Sequence, residues 1–213
     1  MEVMPLLLGA GGRSSRMGKT KHLLDFRGAP WLRWQLERFH AAGGRRAIII
    51  LPGAPRHEDH AAMAGVDLEI SLLEQPDPAA PMSRSLRLAA RSACETGTVA
   101  AWWLPVDTPV PGSALWSGLR DTLRSWPAAW AAVPARGGHP VLLGRPLLDM
   151  LAADTTGDGM RLDETLRRLE AEGRLVRGEQ TDPLCCLNLN TPEAWRAWQE
   201  QAGDLLGRRH ADA

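Results

Sequence analysis

The sequence predicts an α/β fold in which helices cover both faces of a doubly wound, mostly parallel sheet. Short apolar runs of strand length alternate with longer stretches whose apolar residues recur at helical spacing, a pattern typical of such sheets. A glycine-rich segment follows the first apolar run directly, where open α/β sheets bind ligands. No internal repeat or long flexible linker divides the chain, so we expect one domain over residues 1–206 and a frayed polar tail over 207–213.

The apolar runs predict strands, and the periodic stretches between them predict helices. Buried strands are expected at residues 3–8, 47–51, 68–73, 99–104 and 128–133. Helices are expected at 31–42, 83–94 and 113–126. The less regular C-terminal third predicts a helix at 161–172, strands at 175–177 and 184–189, and a last helix to about residue 206. Thr191 is well suited to cap that last helix, and Pro192 to begin it.

Composition excludes several classes of protein. Among 213 residues, 44% are hydrophobic and 23% charged, as in an ordinary soluble globule and unlike a disordered chain. The 25 basic and 25 acidic side chains cancel, which argues against a nucleic-acid partner. The three cysteines suit neither a disulfide framework nor a zinc site, and no apolar run is long enough for a signal peptide or a membrane span. We therefore expect a cytoplasmic protein without nucleic-acid or membrane partners.

The glycine-rich segment has the character of a phosphate-binding loop. Glycines let backbone N–H groups approach phosphate oxygens, and Arg16 and Lys21 add positive charge. A Walker-type loop would need glycine where Arg13 stands, and the dinucleotide fingerprint would need glycine where Ser14 stands. Neither of these two patterns therefore fits well.

A third pattern fits this segment. Residues 10–21 read Ala-Gly-Gly-x-Ser-x-Arg-Met-Gly-x-x-Lys, which resembles the signature loop of the nucleotidyltransferases that act on the molybdenum cofactor. Those enzymes have the nucleotide-diphospho-sugar transferase fold, a three-layer α/β/α arrangement. A merely structural glycine-rich turn would not require Arg-Met-Gly-x-x-Lys after it. The resemblance implies that the nucleotide is held by Ala10, Gly11, Gly12, Arg13, Ser14, Arg16 and Lys21.

Two further segments resemble the nucleotide side of the cytidylyltransferase branch. Gln75-Pro76 and residues 81–86 match its Asn-Pro and Gly-Met-x-x-Ser-Leu stretches, with Gln75 in place of asparagine and Pro81 in place of glycine. The resemblance implies that Gln75 and Ser83 contact the nucleotide. For Ser83, capping the helix that follows is an equally good interpretation.

The metal site is expected at Asp107. This aspartate follows the predicted strand at 99–104, and a divalent cation that bridges nucleotide phosphates prefers such a carboxylate. The metal-binding aspartate of the family also falls on Asp107, although a turn aspartate before Pro109 is the structural alternative. Residues 188–193 match the family's Asp-x-Asp-Thr-Pro-Glu but carry asparagines, as in the guanylyltransferase branch, so Asn188 would be an uncharged second ligand of Mg²⁺.

The acceptor side is expected from two other matches. Residues 137–143 resemble the Gly-His-Pro-Val-Leu-Phe element of the cytidylyltransferase branch, and residues 156–161 match a loop that faces the acceptor in relatives. The resemblance implies acceptor contacts from His139, Pro140 and Asp158.

These expectations together describe a nucleotidyltransferase. It would transfer a nucleoside monophosphate from CTP, or from GTP, to the phosphate of molybdopterin or its metal-loaded form and release pyrophosphate. The acceptor phosphate is already a nucleophile, so catalysis requires positioning and charge neutralisation, for which we expect Arg16, Lys21 and Asp107. Transient contact with a recipient molybdenum enzyme is compatible with this function. The alternatives are a sugar- or alditol-phosphate nucleotidyltransferase and a non-catalytic carrier of nucleotide or cofactor.

Two segments receive structural interpretations only. The run from His57 to His60 lacks the spacing of a helical zinc site, and we interpret it as the solvated face of a surface helix. Cys185 and Cys186 lie in an apolar segment, where at least one should be a packing residue.

Overall fold

A computed structural model describes residues 3–10 and 20–207 of the chain, with side chains as far as residue 203. In these ranges the strands are β1 Leu6–Gly9, β2 Asp25–Phe26, β3 Ala29–Pro30, β4 Arg46–Pro52, β5 Glu69–Gln75, β6 Ala100–Pro105, β7 Ala131–Val133, β8 Val141–Gly144 and β9 Leu175–Arg177. The α-helices are α1 Trp31–Ala41, α2 His57–Met63, α3 Met82–Glu95, α4 Ser113–Ser125, α5 Arg145–Ala153, α6 Leu162–Ala171 and α7 Pro192–Gly207. Two 3-10 helices occupy Lys21–Leu23 and Pro183–Cys186.

The main sheet has seven strands in the order β5-β4-β1-β6-β8-β7-β9. All neighbouring pairs are parallel except those of β8, which is antiparallel to β6 and β7. The chain runs from β1 outward through β4 to β5 and then returns to place β6 on the other side of β1. The order in which successive strands are added to the sheet therefore reverses between β1 and β6. Ligands of open α/β sheets bind at the carboxyl ends of the strands at such a point.

Alternating residues of the central strands divide the core into two layers. In β1, Leu6 and Leu8 pack toward α1, α4 and α7, whereas Leu7 packs toward α3, α5 and α6. Strand side chains alternate between faces, so a strand buried on both sides is apolar along its buried length, as β1 is and as β4 is after Arg46. The three-layer α/β/α architecture predicted from the sequence is confirmed.

An aromatic cluster fixes α7 against the rest of the domain. Phe26 of the small β2–β3 hairpin stacks on Trp198 of α7 with ring centroids 5.6 Å apart. Trp31 of α1 meets Trp195 of α7 edge to face at 5.1 Å. The N-terminus of α7 is capped as predicted, because the Thr191 hydroxyl accepts a hydrogen bond from the Ala194 N–H at 3.2 Å. The segment before this cap is therefore held at a defined place.

Most predicted elements have a counterpart in the structure. Except for 184–189, the predicted strands correspond to β1, β4, β5, β6, β7 and β9. The predicted helices correspond to α1, α3, α4, α6 and α7. The strand predicted at 184–189 is wrong. Pro183 has no N–H for a ladder, and the Asp182 carboxylate accepts a hydrogen bond from the Leu184 N–H at 3.0 Å, so the chain turns into a 3-10 helix. In that turn Cys185 is buried and Cys186 is exposed, which agrees with one packing cysteine.

The sequence patterns miss the short strands β2 and β3, and they also miss β8 and α5, which adjoin each other. No turn separates them, because β8 ends at Gly144 and α5 begins at Arg145. Their apolar residues therefore form one irregular run with neither a strand nor a helix period.

None of the helices in the described ranges combines the length and the continuous apolar character that crossing a bilayer requires.

Candidate active site

The loop that carries Asp107 lies at the carboxyl end of β6, beside β1, where the strand order reverses. β6 ends at Pro105, which is paired with Gly9 at the end of β1. The Val106 N–H continues this pairing and donates to the Gly9 carbonyl at 2.9 Å. The glycine-rich segment follows β1 in the sequence, and β1 ends beside the loop that carries Asp107. The predicted location of Asp107 at a strand's carboxyl end is therefore correct.

A buried glutamine on α1 holds the Asp107 loop. The Gln35 side chain is inaccessible to solvent, and its Nε2 donates to the Thr108 carbonyl at 2.7 Å. Its Oε1 accepts a hydrogen bond from the Val110 N–H, also at 2.7 Å. Trp31, one turn earlier on α1, donates from Nε1 to the Val106 carbonyl at 2.6 Å. Side chains of α1 therefore satisfy the loop's backbone on both sides of Asp107, a contact that sequence reasoning missed.

Lys21, Asp107 and Asn190 meet although they are distant in the sequence. The Lys21 ammonium lies 3.5 Å from Oδ2 of Asp107 and donates a hydrogen bond to Oδ1 of Asn190. The Leu189 N–H donates to the Asp107 carbonyl at 2.8 Å, so the residues before α7 run along the aspartate loop. Asn188, the predicted metal ligand, is exposed at the start of this stretch. Sequence reasoning did not assign a role to Asn190.

A buried histidine–aspartate pair supports Lys21. The 3-10 helix places His22 directly after Lys21, and Nε2 of His22 lies 2.7 Å from Oδ1 of Asp59 on α2, with both side chains almost fully buried. Burial lowers the pKa of His22, against the opposing effect of the hydrogen bond to Asp59. Burial alone would raise the pKa of Asp59, but hydrogen bonds from His22 and Arg56 outweigh it and lower that pKa.

This pair corrects one sequence interpretation. His57, Glu58 and His60 are exposed as expected of a solvated helix face, but Asp59 is only 2% exposed. The sequence shows no signal for its partner, because His22 and Asp59 lie 37 positions apart in different elements.

A cavity of about 520 Å³ opens on the β6–β8 side of Asp107. Its apolar wall consists of Met82, Leu86, Trp103, Val141, Leu162 and Leu166. Its polar lining side chains are Ser83, His139, Arg161 and Asp163. This volume and mixture of groups are typical of a small-molecule site.

His139 is one wall of this cavity. Burial lowers the pKa of His139, and the nearby Asp107 carboxylate acts in the opposite direction, so the imidazole is largely neutral at pH 7. The backbone N–H of His139 donates to the Cys185 carbonyl at 2.9 Å. Gly138 has a φ of 89°, and a Cβ there would collide with that same carbonyl. Pro140 follows through a cis peptide bond and is buried.

The loop that contains Asp158 is fixed to the first turn of α3. The Ser83 hydroxyl donates to the Asp158 carbonyl at 2.5 Å, so Ser83 does not cap α3. The carboxylate of Asp154 accepts hydrogen bonds from the Thr156 N–H at 2.9 Å and the Met160 N–H at 2.7 Å. The Asp158 side chain is 87% exposed and lies 3.6 Å from Arg84. Ser83, predicted on the nucleotide side, therefore joins the predicted acceptor residues.

Two of the remaining predicted nucleotide contacts, Ala10 and Gln75, lie on the other half of the sheet. Ala10 continues β1, because its N–H donates to the Ile50 carbonyl at 3.0 Å. Gln75 ends β5 with only 4% of its surface exposed, and its Nε2 has no hydrogen-bond partner within residues 3–10 and 20–207. The predicted contacts at Gly11, Gly12, Arg13, Ser14 and Arg16 lie outside the described residues.

The described side chains offer few metal ligands. Nowhere in the described ranges do three or more His, Cys, Asp or Glu side chains converge as they would around a protein-bound ion. At Asp107 the available oxygens are one carboxylate and the neighbouring asparagine amides. Such a set suits a cation that keeps most of its ligands from phosphates and water, as Mg²⁺ does in nucleotide sites.

Comparison with known proteins places the chain in a family. The family model for the MobA-like NTP transferase domain matches residues 6–174. The chain belongs to this family, and the resemblance found in its sequence is thereby confirmed. Family membership assigns it to the nucleotidyltransferases. A search of the curated proteins gave no significant match.

Solved structures show the same fold. Rv0371c from Mycobacterium tuberculosis is 25% identical, with a TM-score of 0.68 and coverage of 94% of this chain and 99% of that one. A crystal structure of Rv0371c in complex with manganese is also similar, at 24% identity and a TM-score of 0.64 over 94% and 99% of the two chains.

More distant nucleotidyltransferases share the architecture. A nucleotidyl transferase from Methanothermobacter, Mth528, is 21% identical, with a TM-score of 0.71 and coverage of 98% and 100%. The 2-C-methyl-D-erythritol 4-phosphate cytidylyltransferase from Thermus thermophilus is 19% identical, with a TM-score of 0.65 and coverage of 95% and 99%. At these identities the likeness concerns the fold.

Proposed function

We propose that this protein transfers a nucleoside monophosphate from CTP or GTP to the terminal phosphate of molybdopterin or its molybdenum-loaded form, with release of pyrophosphate. The observation that carries the choice of acceptor is the cavity beside Asp107. Its wall combines Trp103 and aliphatic side chains with the polar side chains of Ser83, His139, Arg161 and Asp163. Such a wall suits a flat heteroaromatic ring with hydrogen-bonding groups at its edge, as a pterin has.

The two substrates would occupy opposite halves of the sheet. The glycine-rich loop and Gln75 follow β1 and β5 and would hold the nucleotide, and the buried Gln75 carboxamide is suited to read the base. His139 and the Asp158 loop lie on the β6–β8 side and would bind the acceptor. Asp107 lies between these halves, so the α-phosphate and the attacking phosphate oxygen would meet beside it.

Catalysis would consist of positioning and charge neutralisation. The acceptor phosphate supplies the nucleophilic oxygen, so the chain needs no general base for this step. Arg16, Lys21 and the backbone amides of Gly11 and Gly12 would hold the triphosphate and receive the charge that develops on the leaving pyrophosphate. The neutral imidazole of His139 would orient the acceptor by hydrogen bonding.

Asp107 would hold a divalent cation, with Asn188 as a neutral second ligand. When bound, Mg²⁺ would supply positive charge that neutralises the phosphates. The manganese complex of Rv0371c supports the use of a divalent cation in this group of proteins. CTP is preferred to GTP because residues 82–86 and 138–143 resemble the cytidylyltransferase branch, while the asparagines at 188 and 190 keep GTP in consideration.

The experiment is pyrophosphate release by purified protein with Mg²⁺ and molybdopterin, comparing CTP, GTP and ATP. We expect release with CTP or GTP and a loss of about 100-fold or more in Asp107→Ala. The exposed Asp121→Ala on α4 is the matched control and should keep full activity. Release with a sugar or alditol phosphate, and none with molybdopterin, would contradict the acceptor assignment. Binding of nucleotide without turnover of any acceptor would favour the carrier function.

A further inference from the structure

The Lys21 ammonium lies where a cation bound to Asp107 would lie. It is 3.5 Å from Oδ2 of Asp107, the proposed metal ligand, and donates a hydrogen bond to Oδ1 of Asn190. The Lys21 and Asp107 side chains are only 17% and 16% exposed, which weakens competition from water. While the ammonium stays there, its positive charge opposes the binding of a divalent cation to the same carboxylate.

The backbone of Lys21 is held in place while its side chain is long and rotatable. His22, the next residue, is anchored through its buried pair with Asp59 at 2.7 Å. Within the same 3-10 turn, the Leu24 N–H donates to the Lys21 carbonyl at 3.1 Å. A change of partner at Lys21 therefore requires rotation of the side chain and no movement of the turn.

A divalent cation without a nucleotide should bind only weakly at this site. One carboxylate and amide oxygens form a weak ligand set for such an ion, and Lys21 neutralises that carboxylate. A nucleotide triphosphate changes the balance, because its phosphates bring ligands for the cation and a new anionic partner for the ammonium.

We propose that Lys21 is the built-in counter-ion of the metal site. It closes Asp107 to free divalent cations in the nucleotide-free protein and turns to the phosphates when the cation arrives with the nucleotide. This inference rests on the assignment of Asp107 to the metal in the proposed function. It predicts ordered binding, in which the metal–nucleotide complex enters as a unit.

The test is Mn²⁺ binding to the full-length protein, followed by the electron paramagnetic resonance signal of free Mn²⁺, with and without CTP or GTP and with no acceptor. We expect Lys21→Met to bind Mn²⁺ at least about tenfold more tightly than the wild type when nucleotide is absent. Lys21→Arg keeps the charge and should keep the low affinity. Arg196→Met, which removes an exposed positive charge on α7, should also leave the affinity unchanged.

With nucleotide present, the wild type should bind Mn²⁺ more tightly than Lys21→Met does. The wild type should gain Mn²⁺ affinity strongly, and Lys21→Met should gain much less because it has lost a phosphate ligand. Circular dichroism and a melting curve establish that each variant is folded. Equal Mn²⁺ affinities of the wild type and Lys21→Met without nucleotide, or no binding by either, would overturn the proposal.

A further variant separates this proposal from the proposed function. If Asp107→Asn abolishes nucleotide-dependent Mn²⁺ binding while Lys21→Met behaves like the wild type, the metal site stands and the counter-ion role fails. If Asp107→Asn binds Mn²⁺ and nucleotide like the wild type, the metal assignment itself fails. The acceptor takes no part in these titrations, so they do not depend on molybdopterin being the substrate.

Discussion

Gln35→Leu should destabilise the protein and disable the site through one buried side chain. Leucine fills a similar volume but leaves the Thr108 carbonyl and the Val110 N–H without the partners they have at 2.7 Å. Thr108 is 3% exposed and Val110 is inaccessible, so water cannot readily replace the carboxamide. An unsatisfied buried polar group costs about 1–3 kcal/mol, so the two groups, less the gain from an apolar side chain, should cost about 3 kcal/mol.

Two measurements check this estimate. For a chain of this length, 1 kcal/mol lowers the melting temperature by about 2–4 °C, so a fall of about 6–12 °C is expected. Pyrophosphate release should fall about tenfold or more in the fraction that remains folded, because the backbone on both sides of Asp107 loses its support. Urea unfolding gives the free energy directly.

The matched control is Gln199→Leu. Gln199 is an exposed glutamine on α7 that makes one hydrogen bond of 3.3 Å to the Asp25 carbonyl. Its replacement should change stability by no more than about 0.5 kcal/mol. If Gln35→Leu costs no more than Gln199→Leu, the argument that Gln35 holds the Asp107 loop is refuted.

The protein should lose stability as the pH falls below about 6.5. Folding lowers the pKa values of His22 and His139, so the unfolded chain binds protons at these histidines at a higher pH than the folded protein does. Urea unfolding between pH 7 and 5 should show a smaller pH slope in His22→Gln than in the wild type, whereas exposed His60→Gln should leave the slope unchanged. Leu166→Arg places a long charged side chain on the cavity wall and should raise the KM for the acceptor several-fold while nucleotide-dependent Mn²⁺ binding persists. An unchanged acceptor KM would mean that the acceptor binds elsewhere.

Local patterns were sufficient to predict most of the fold. An apolar run of strand length followed by an aspartate is a local signal, and it located Asp107 at the end of β6. Thr191 before Pro192 is another, and the hydrogen bond from the Ala194 N–H confirms the helix start that it predicted. Where no loop separates two elements, as between β8 and α5, the same reasoning found neither element.

The supporting residues of the site had no such signal. Gln35 lies in the middle of a helix, and its partners are 71 to 75 positions away. His22 and Asp59 are an ordinary histidine and an ordinary helix aspartate until the fold brings them together. Each depends on contacts between distant segments, which a single sequence does not display.

The contact between Lys21 and Asn190 explains why an asparagine at position 190 suits a nucleotide site. If an aspartate stood at 190, the ammonium would face two carboxylates, and the site would retain a net negative charge. A nucleotide triphosphate carries several negative charges and would be repelled by that excess. With asparagine at 190, Lys21 and Asp107 balance each other, and the amide still accepts the lysine's hydrogen bond. The substitution therefore removes repulsion at the entrance of the nucleotide without removing a partner from the lysine, and Asn190→Asp should weaken nucleotide binding most at low ionic strength, where charges are least screened.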